Sequence, residues 1–181
     1  MSAAFAILLV AAATPAAADE ARAWAALAEG GHVLVLRHAA TDAGIGDPPG
    51  FRPDDCATQR NLSADGSRQA REWRDRVAAR GVAIGPVLSS RWCRCLETAT
   101  LAFGRAEPWP ALDSFFGDAG TGAERTRELL DRVRAWRGPG TLVLVTHQVN
   151  VVAAVGEPLA MGEAIVLDRD ARVVGRLAAP S

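Results

Sequence analysis

At 181 residues the chain is long enough for one α/β domain with a proper core and has no room for a second. A net charge of −1 offers no bulk electrostatic attraction for nucleic acid or for an anionic membrane. All 20 cationic side chains are arginine, so any anion site must be built from guanidinium forks, which suit bidentate recognition of oxygens.

The first eighteen residues read as a segment apart from the fold. Phe5 to Ala13 is a short apolar run, Pro15 and Ala16-Ala17-Ala18 follow as a cleavage-like pattern, and Asp19-Glu20 come next. This is expected to be a signal peptide over 1–18, with the folded domain at 19–181 and a periplasmic or secreted destination. The run is too short to span a bilayer comfortably. It lacks a basic start, and a buried or interfacial N-terminal helix is the alternative.

Asp19 to Glu29 is predicted helical and is stopped by Gly30-Gly31. His32 precedes the first strand, Val33 to Leu36, an apolar run that leads straight into Arg37-His38. Ala39 to Asn61 forms a long loop rich in Gly, Pro and Asp. Ser63 caps a helix to about Arg80 with Ala70, Trp73 and Val77 on one face, and Gly81 ends it. A second strand is predicted over Pro86 to Ser90 and a helix over Cys93 to Phe103. A second long loop then runs from Gly104 to Gly122. Glu124 to Trp136 is predicted helical, and Gly138-Pro139-Gly140 separates it from a third strand, Leu142 to Val145, which ends in Thr146-His147. A short apolar helix to Val155 and two terminal strands, near Ala164 to Leu167 and Arg172 to Leu177, complete the chain. The alternation predicts a three-layer α/β/α sandwich with a mostly parallel central sheet.

Ligands in open α/β sheets sit beyond the C-terminal ends of strands. Two such ends deliver His38 and His147, and a third leads to Arg91 and Arg94 at a helix start. Two imidazoles with converging guanidiniums, and no carboxylate cluster to hold a metal, describe a site for a phosphoryl group. His32 lies at the opposite sheet edge and reads as a surface residue.

Four blocks carry a resemblance to the histidine phosphatase superfamily, in particular its phosphoglycerate-mutase-like branch. Arg37-His38-Ala39 with Thr41 resembles the Arg-His-Gly signature, although Ala39 replaces the usual Gly. Leu62 to Ala70 resembles the family's Leu-Thr-x-x-Gly-x-x-Gln-Ala helix start. Ser89 to Ala99 resembles its Ser-Ser-x-x-x-Arg-x-x-x-Thr-Ala block, and Val145-Thr146-His147 the block with the second histidine. The resemblance implies a phosphoglycerate-mutase-like fold and a metal-independent phosphatase with no cofactor. His38 would be the nucleophile, His147 a hydrogen-bond donor to the phosphoryl oxygens, and Arg37, Arg94 and Thr41 phosphate ligands. Gln148 would be a further donor. The family's acid falls on Asp113, with Asp118 as the substitute. Glu97 reads as structural, and Arg60 and Arg91 as either substrate contacts or solvated loop cations.

Three cysteines remain after Asp19: Cys56, Cys93 and Cys95. In an oxidising compartment Cys56 is expected to pair with Cys93 or Cys95 across the site; otherwise all three are free thiols. The substrate would be a phosphorylated small molecule, glycan or protein. A phosphoglycerate-mutase-type phosphotransferase and a non-catalytic phosphate- or polyanion-binding module are the rival readings.

Overall fold

A computed structural model describes residues 14–181. Most of the expected signal peptide lies outside these residues. The first helix, α1 (Pro15–Glu29), begins four residues earlier than Asp19. Thr14 caps it, accepting from the Ala17 amide, and Pro15 occupies the first turn, where a missing N–H costs nothing. Thr-Pro is a helix-start signal that the leader-like composition around it obscures.

Strand β1 (Val33–Arg37) follows, then α2 (Ala64–Ala79), β2 (Ile84–Ser89), α3 (Cys93–Phe103) and the two-residue β3 (Glu107–Pro108). Next come α4 (Gly122–Ala135), β4 (Thr141–Thr146), α5 (Gln148–Val155), β5 (Ala164–Leu167) and β6 (Val173–Leu177). The six strands form one sheet in the order β3-β2-β4-β1-β5-β6. β1, β2, β3 and β4 run parallel, whereas β5 and β6 pair antiparallel. β2 starts before Pro86 because that proline sits at a register shift between Ile84 and Val87, where its missing N–H interrupts no ladder bond. β3 is a short edge that the sequence reads as loop.

Alternation along the strands divides the core. Leu34, Leu36, Val143 and Val145 face Trp24, Leu27, Trp73, Val77 and Ala99 from α1, α2 and α3. Val33, Val35, Leu142, Leu144 and Ile165 face Leu129, Val133 and Val151 from α4 and α5. The helix after β1 therefore lies on one face and the helix after β4 on the other. The crevice between the two strand ends is a topological switch point, where α/β sheets bind ligands.

The N-terminus of α2 pins the backbone just beyond β1. Ser63 caps the helix through the Gly66 amide, Ala40 O accepts from Ser63 N, and Gln69 Oε1 accepts from Ala40 N. Gly66 permits this approach: a Cβ there would lie 1.8 Å from Ala40 O. Gly66→Ala is expected to destabilise the fold by about 1–3 kcal/mol through overpacking. It should also lower any activity of the neighbouring site, because Ala40 must move. Urea titration and a steady-state assay check both, and an unchanged midpoint would contradict the close approach.

Candidate active site

Parallel pairing of β1 with β4 sets Arg37 opposite Thr146, so His38 and His147 leave the sheet side by side. The His38 amide donates to Thr146 O at 3.0 Å, and the ring centroids are 5.4 Å apart. Both imidazoles are buried. β2 lies against the other side of β4, and the Ser90 amide donates to Val145 O, which brings the start of α3 to the same edge.

His38 Nδ1 lies 2.9 Å from its neighbour's carbonyl, Ala39 O. A carbonyl only accepts, so Nδ1 carries the hydrogen and the Nε2 lone pair is exposed to reaction. Burial lowers the His38 pKa to about 3; the Ala39 bond opposes the shift, and the charges of Arg94, Arg37 and Arg60 add to it. His147 is likewise held well below the ordinary imidazole range, by burial first and then by His38 and the same three arginines. Its Nε2 lies 2.8 Å from Ser90 Oγ, and Trp92 packs edge-on against the ring.

The arginines crowd one another. Burial and the Arg60 charge lower the Arg37 pKa; burial and the Arg94 charge lower that of Arg60. Each of Arg37, Arg60 and Arg94 keeps a buried Nε–H without a partner. Their other nitrogens are braced: Arg37 Nη1 donates to Leu159 O and to Gln148 Oε1, and Arg60 Nη1 to Gly44 O. Arg94 forms a buried pair with Asp47, and also donates to Arg60 O. Unpaired donors on mutually repelling cations, near enough for their charge to act on two neutral imidazoles, are what an oxyanion would satisfy.

The structure brings together His38, His147, Arg37 and Arg94 from the sequence expectation. It adds Arg60, which the sequence leaves as either a contact or a solvated cation. Thr41 is buried below, its hydroxyl toward Met161 Sδ at 3.6 Å. Gln148 serves as a brace: Oε1 accepts from Leu159 N and Arg37.

Asp113 departs most from expectation. Its carboxylate is fully buried and already engaged, accepting from Arg91 N (2.8 Å), Arg91 Nε (2.7 Å) and Ser90 Oγ (3.3 Å), with Arg91 Nη2 at 2.6 Å. Through Ser90 it is tied to His147 rather than opened to a leaving group. Asp118 is exposed and caps its own turn, accepting from Gly120 N and Thr121 Oγ1. Asp47 escapes sequence reading because four aspartates occupy that loop with no pattern to single one out. The usable signal is Cys56, which draws the loop to the residue beside Arg94. Cys56 is bonded to Cys93, while Cys95 is buried and its thiol is pushed up to about 12 by that burial.

The chain is thus a three-layer α/β protein in which two parallel strands end in paired, buried histidines under the charge of three arginines. Solved structures of histidine phosphatases and phosphoglycerate mutases share this fold. The protein histidine phosphatase SixA, solved with tungstate, is 19% identical over 78% of this chain and 92% of its own, with a TM-score of 0.52. Phosphoglycerate mutase from Thermus thermophilus is 22% identical over 82% and 99%, at 0.57. The mycobacterial glucosyl-3-phosphoglycerate phosphatase is 18% identical over 78% and 95%, at 0.55. No protein-family model and no curated protein matches the sequence.

The depressed histidines make stability depend on pH in a definite direction. In the unfolded chain each imidazole takes up a proton near its ordinary value of about 6.5. Folded His38 does so only near 3. The folded state therefore binds fewer protons across that interval, and stability is lost as pH falls through it, with a plateau above. Urea midpoints are expected to drop between pH 7.5 and pH 5, and to drop less for His147→Gln or His38→Gln. An equal drop in both variants would mean that other groups carry the dependence.

Proposed function

We propose that this chain is a member of the histidine phosphatase superfamily that hydrolyses phosphomonoesters without a metal, through a phosphohistidine on His38. The observation that carries the reading is the trio of unpaired Nε–H donors on Arg37, Arg60 and Arg94 around a neutral imidazole. His38 Nε2 attacks phosphorus, an N–P bond forms as the ester O–P bond breaks, and the alcohol departs. Water then cleaves the N–P bond, releasing inorganic phosphate and restoring the imidazole. Dividing one hydrolysis into two displacements is the gain of covalent catalysis, and the arginines stabilise charge on the transferring oxygens. Ser90 gives its one hydrogen to Asp113, so His147 Nε2–H donates to Ser90 Oγ, and His147 joins in steadying the oxygens when the arriving phosphoryl dianion draws a second proton onto Nδ1.

In this reading Asp113 is an anchor. It fixes Ser90, which in turn orients His147, and it ties down Arg91. With Asp113 and Asp47 both ion-paired, the departing oxygen takes its proton from solvent, and activated esters are the better substrates. The Cys56–Cys93 bridge and the leader-like start together favour an exported enzyme. Phosphorylated small molecules, glycans and proteins all satisfy the recognition chemistry.

Rapid-quench labelling with a radioactive aryl phosphate should trap an acid-labile, alkali-stable phosphoenzyme. His38→Ala is expected to yield none, and His147→Ala to label slowly. Label retained in His38→Ala would remove that residue as nucleophile.

Asp113→Asn separates the anchor from the acid. As an anchor, its loss should slow p-nitrophenyl phosphate and an alkyl phosphate alike, by about 10- to 100-fold, through a misoriented His147. A selective loss on the alkyl ester would restore Asp113 as proton donor.

A further inference from the structure

Arg94 is a buried cation whose guanidinium is only partly used. A guanidinium presents five N–H groups around a rigid plane. Nη1 donates to Asp47 Oδ1 at 2.6 Å and to Arg60 O at 3.2 Å, and Nη2 donates to Asp47 Oδ2 at 3.1 Å. Asp47 thus occupies the terminal edge between the two Nη atoms. The lateral edge, Nε–H with the second Nη2 hydrogen, remains, and Nε is buried without a partner.

Asp47 is itself firmly held. Oδ1 also accepts from Arg60 N at 3.0 Å, and Oδ2 from Trp92 Nε1 at 2.9 Å. The side chains of Arg94 and Asp47 are 4% and 7% exposed, so the pair is shielded from water. Cys56–Cys93 fastens the Asp47 loop to the residue preceding Arg94. A carboxylate gripping one edge of a planar fork fixes that plane and so aims the other edge.

We propose that Asp47 is a positioning residue for phosphoryl recognition, holding Arg94 by its terminal edge so that the lateral Nε–Nη2 edge meets the phosphoryl oxygens. This rests on the phosphatase reading given above. Asp47 also removes one net charge from a cluster of three arginines, which lets them stand close before substrate arrives. The opposite geometry, in which the carboxylate fills the phosphoryl position and must be expelled, makes the opposite prediction. Removing Asp47 would then strengthen phosphate binding.

The deciding experiment is a double-mutant cycle of Asp47→Ala and Arg94→Ala, read by calorimetric titration with inorganic phosphate and by p-nitrophenyl phosphate kinetics. Asp47→Ala is expected to weaken phosphate binding by about 10- to 100-fold, the loss of one well-aimed charge-assisted fork. In the Arg94→Ala background, removing Asp47 should cost nothing more. Asp47→Glu, which keeps the charge, should recover part of the affinity. Tighter or unchanged phosphate binding in Asp47→Ala, or losses that simply add in the double variant, would overturn the proposal. Should Asp47→Ala fail to fold, Asp47→Asn keeps the volume, and the same cycle run on it decides. A wild-type chain that neither binds phosphate nor forms a phosphoenzyme brings down the phosphatase reading, and this proposal with it. Phosphate binding that survives in Asp47→Ala but is lost in Arg94→Ala sinks the proposal alone.

Discussion

Five residues of parallel pairing between β1 and β4 determine where the two buried histidines stand in this protein. Val33 to Arg37 lie opposite Leu142 to Thr146 without a break, and the next residue on each strand is a histidine. Side chains alternate along a strand, so a slip of one residue would send one imidazole to the wrong face and mismatch every buried apolar pair behind it. The register is protected by the core rather than by the site. Val33, Val35, Leu142 and Leu144 pack toward one helical layer, Leu34, Leu36, Val143 and Val145 toward the other. The hydrophobic pattern thus fixes the histidines' separation as a by-product of burying both sheet faces.

Charge is arranged around that frame in two tiers. Closest to the imidazoles stand guanidiniums, whose charges add to the burial that keeps both rings neutral and whose Nε–H donors are unused. Behind them stand two carboxylates, each committed to one arginine: Asp47 to Arg94 and Asp113 to Arg91. The Asp47–Arg94 pair is buried on both sides, and such pairs seldom stabilise a fold more than apolar side chains of the same size, because both charges lose their hydration; Arg91 is half exposed and keeps part of its own. Here their contribution is geometric. Asp47 sets the plane of a guanidinium, and Asp113 sets a serine hydroxyl that touches His147. Arg37 and Arg60 are braced instead by neutral acceptors, Leu159 O and Gln148 Oε1 for the one and Gly44 O for the other.

Much of this is legible in the amino-acid order. The apolar runs before Arg37-His38 and Thr146-His147 define strands and polarity, and Gly81 and Gly140 mark where elements end. Layer assignment follows from strands alternating with amphipathic helices. What stays hidden depends on long-range contact. Asp113 sits in a segment that reads as an acid-bearing loop, but its burial under Arg91 is a tertiary fact. Asp47 and Arg60 lie in a loop without periodicity, and only the Cys56 bridge hints that it folds over Arg94. The early start of α1 is masked because Thr14-Pro15 lies in leader-like sequence. Local chemistry is readable; which charges meet across twenty or more residues is not.

The cysteines carry a consequence for how the chain reaches this state. Cys93 and Cys95 are two residues apart, so in an unstructured chain both present themselves to Cys56 on nearly equal terms, and two single-bridge isomers compete. Packing resolves the competition. Cys95 faces the sheet between Thr146 O and the His147 ring, where burial keeps its thiol protonated. Exchange requires a thiolate, so a protonated, inaccessible Cys95 cannot attack the neighbouring bridge. The native isomer is therefore sealed by the same layer of α3 that presents Arg94. An isomer joined through Cys95 would have to turn that helix face outward, pulling an apolar surface into water. Once the chain is folded, internal exchange through Cys95 is closed, and the bridge can be opened only from outside, by a thiol that reaches the exposed Cys56.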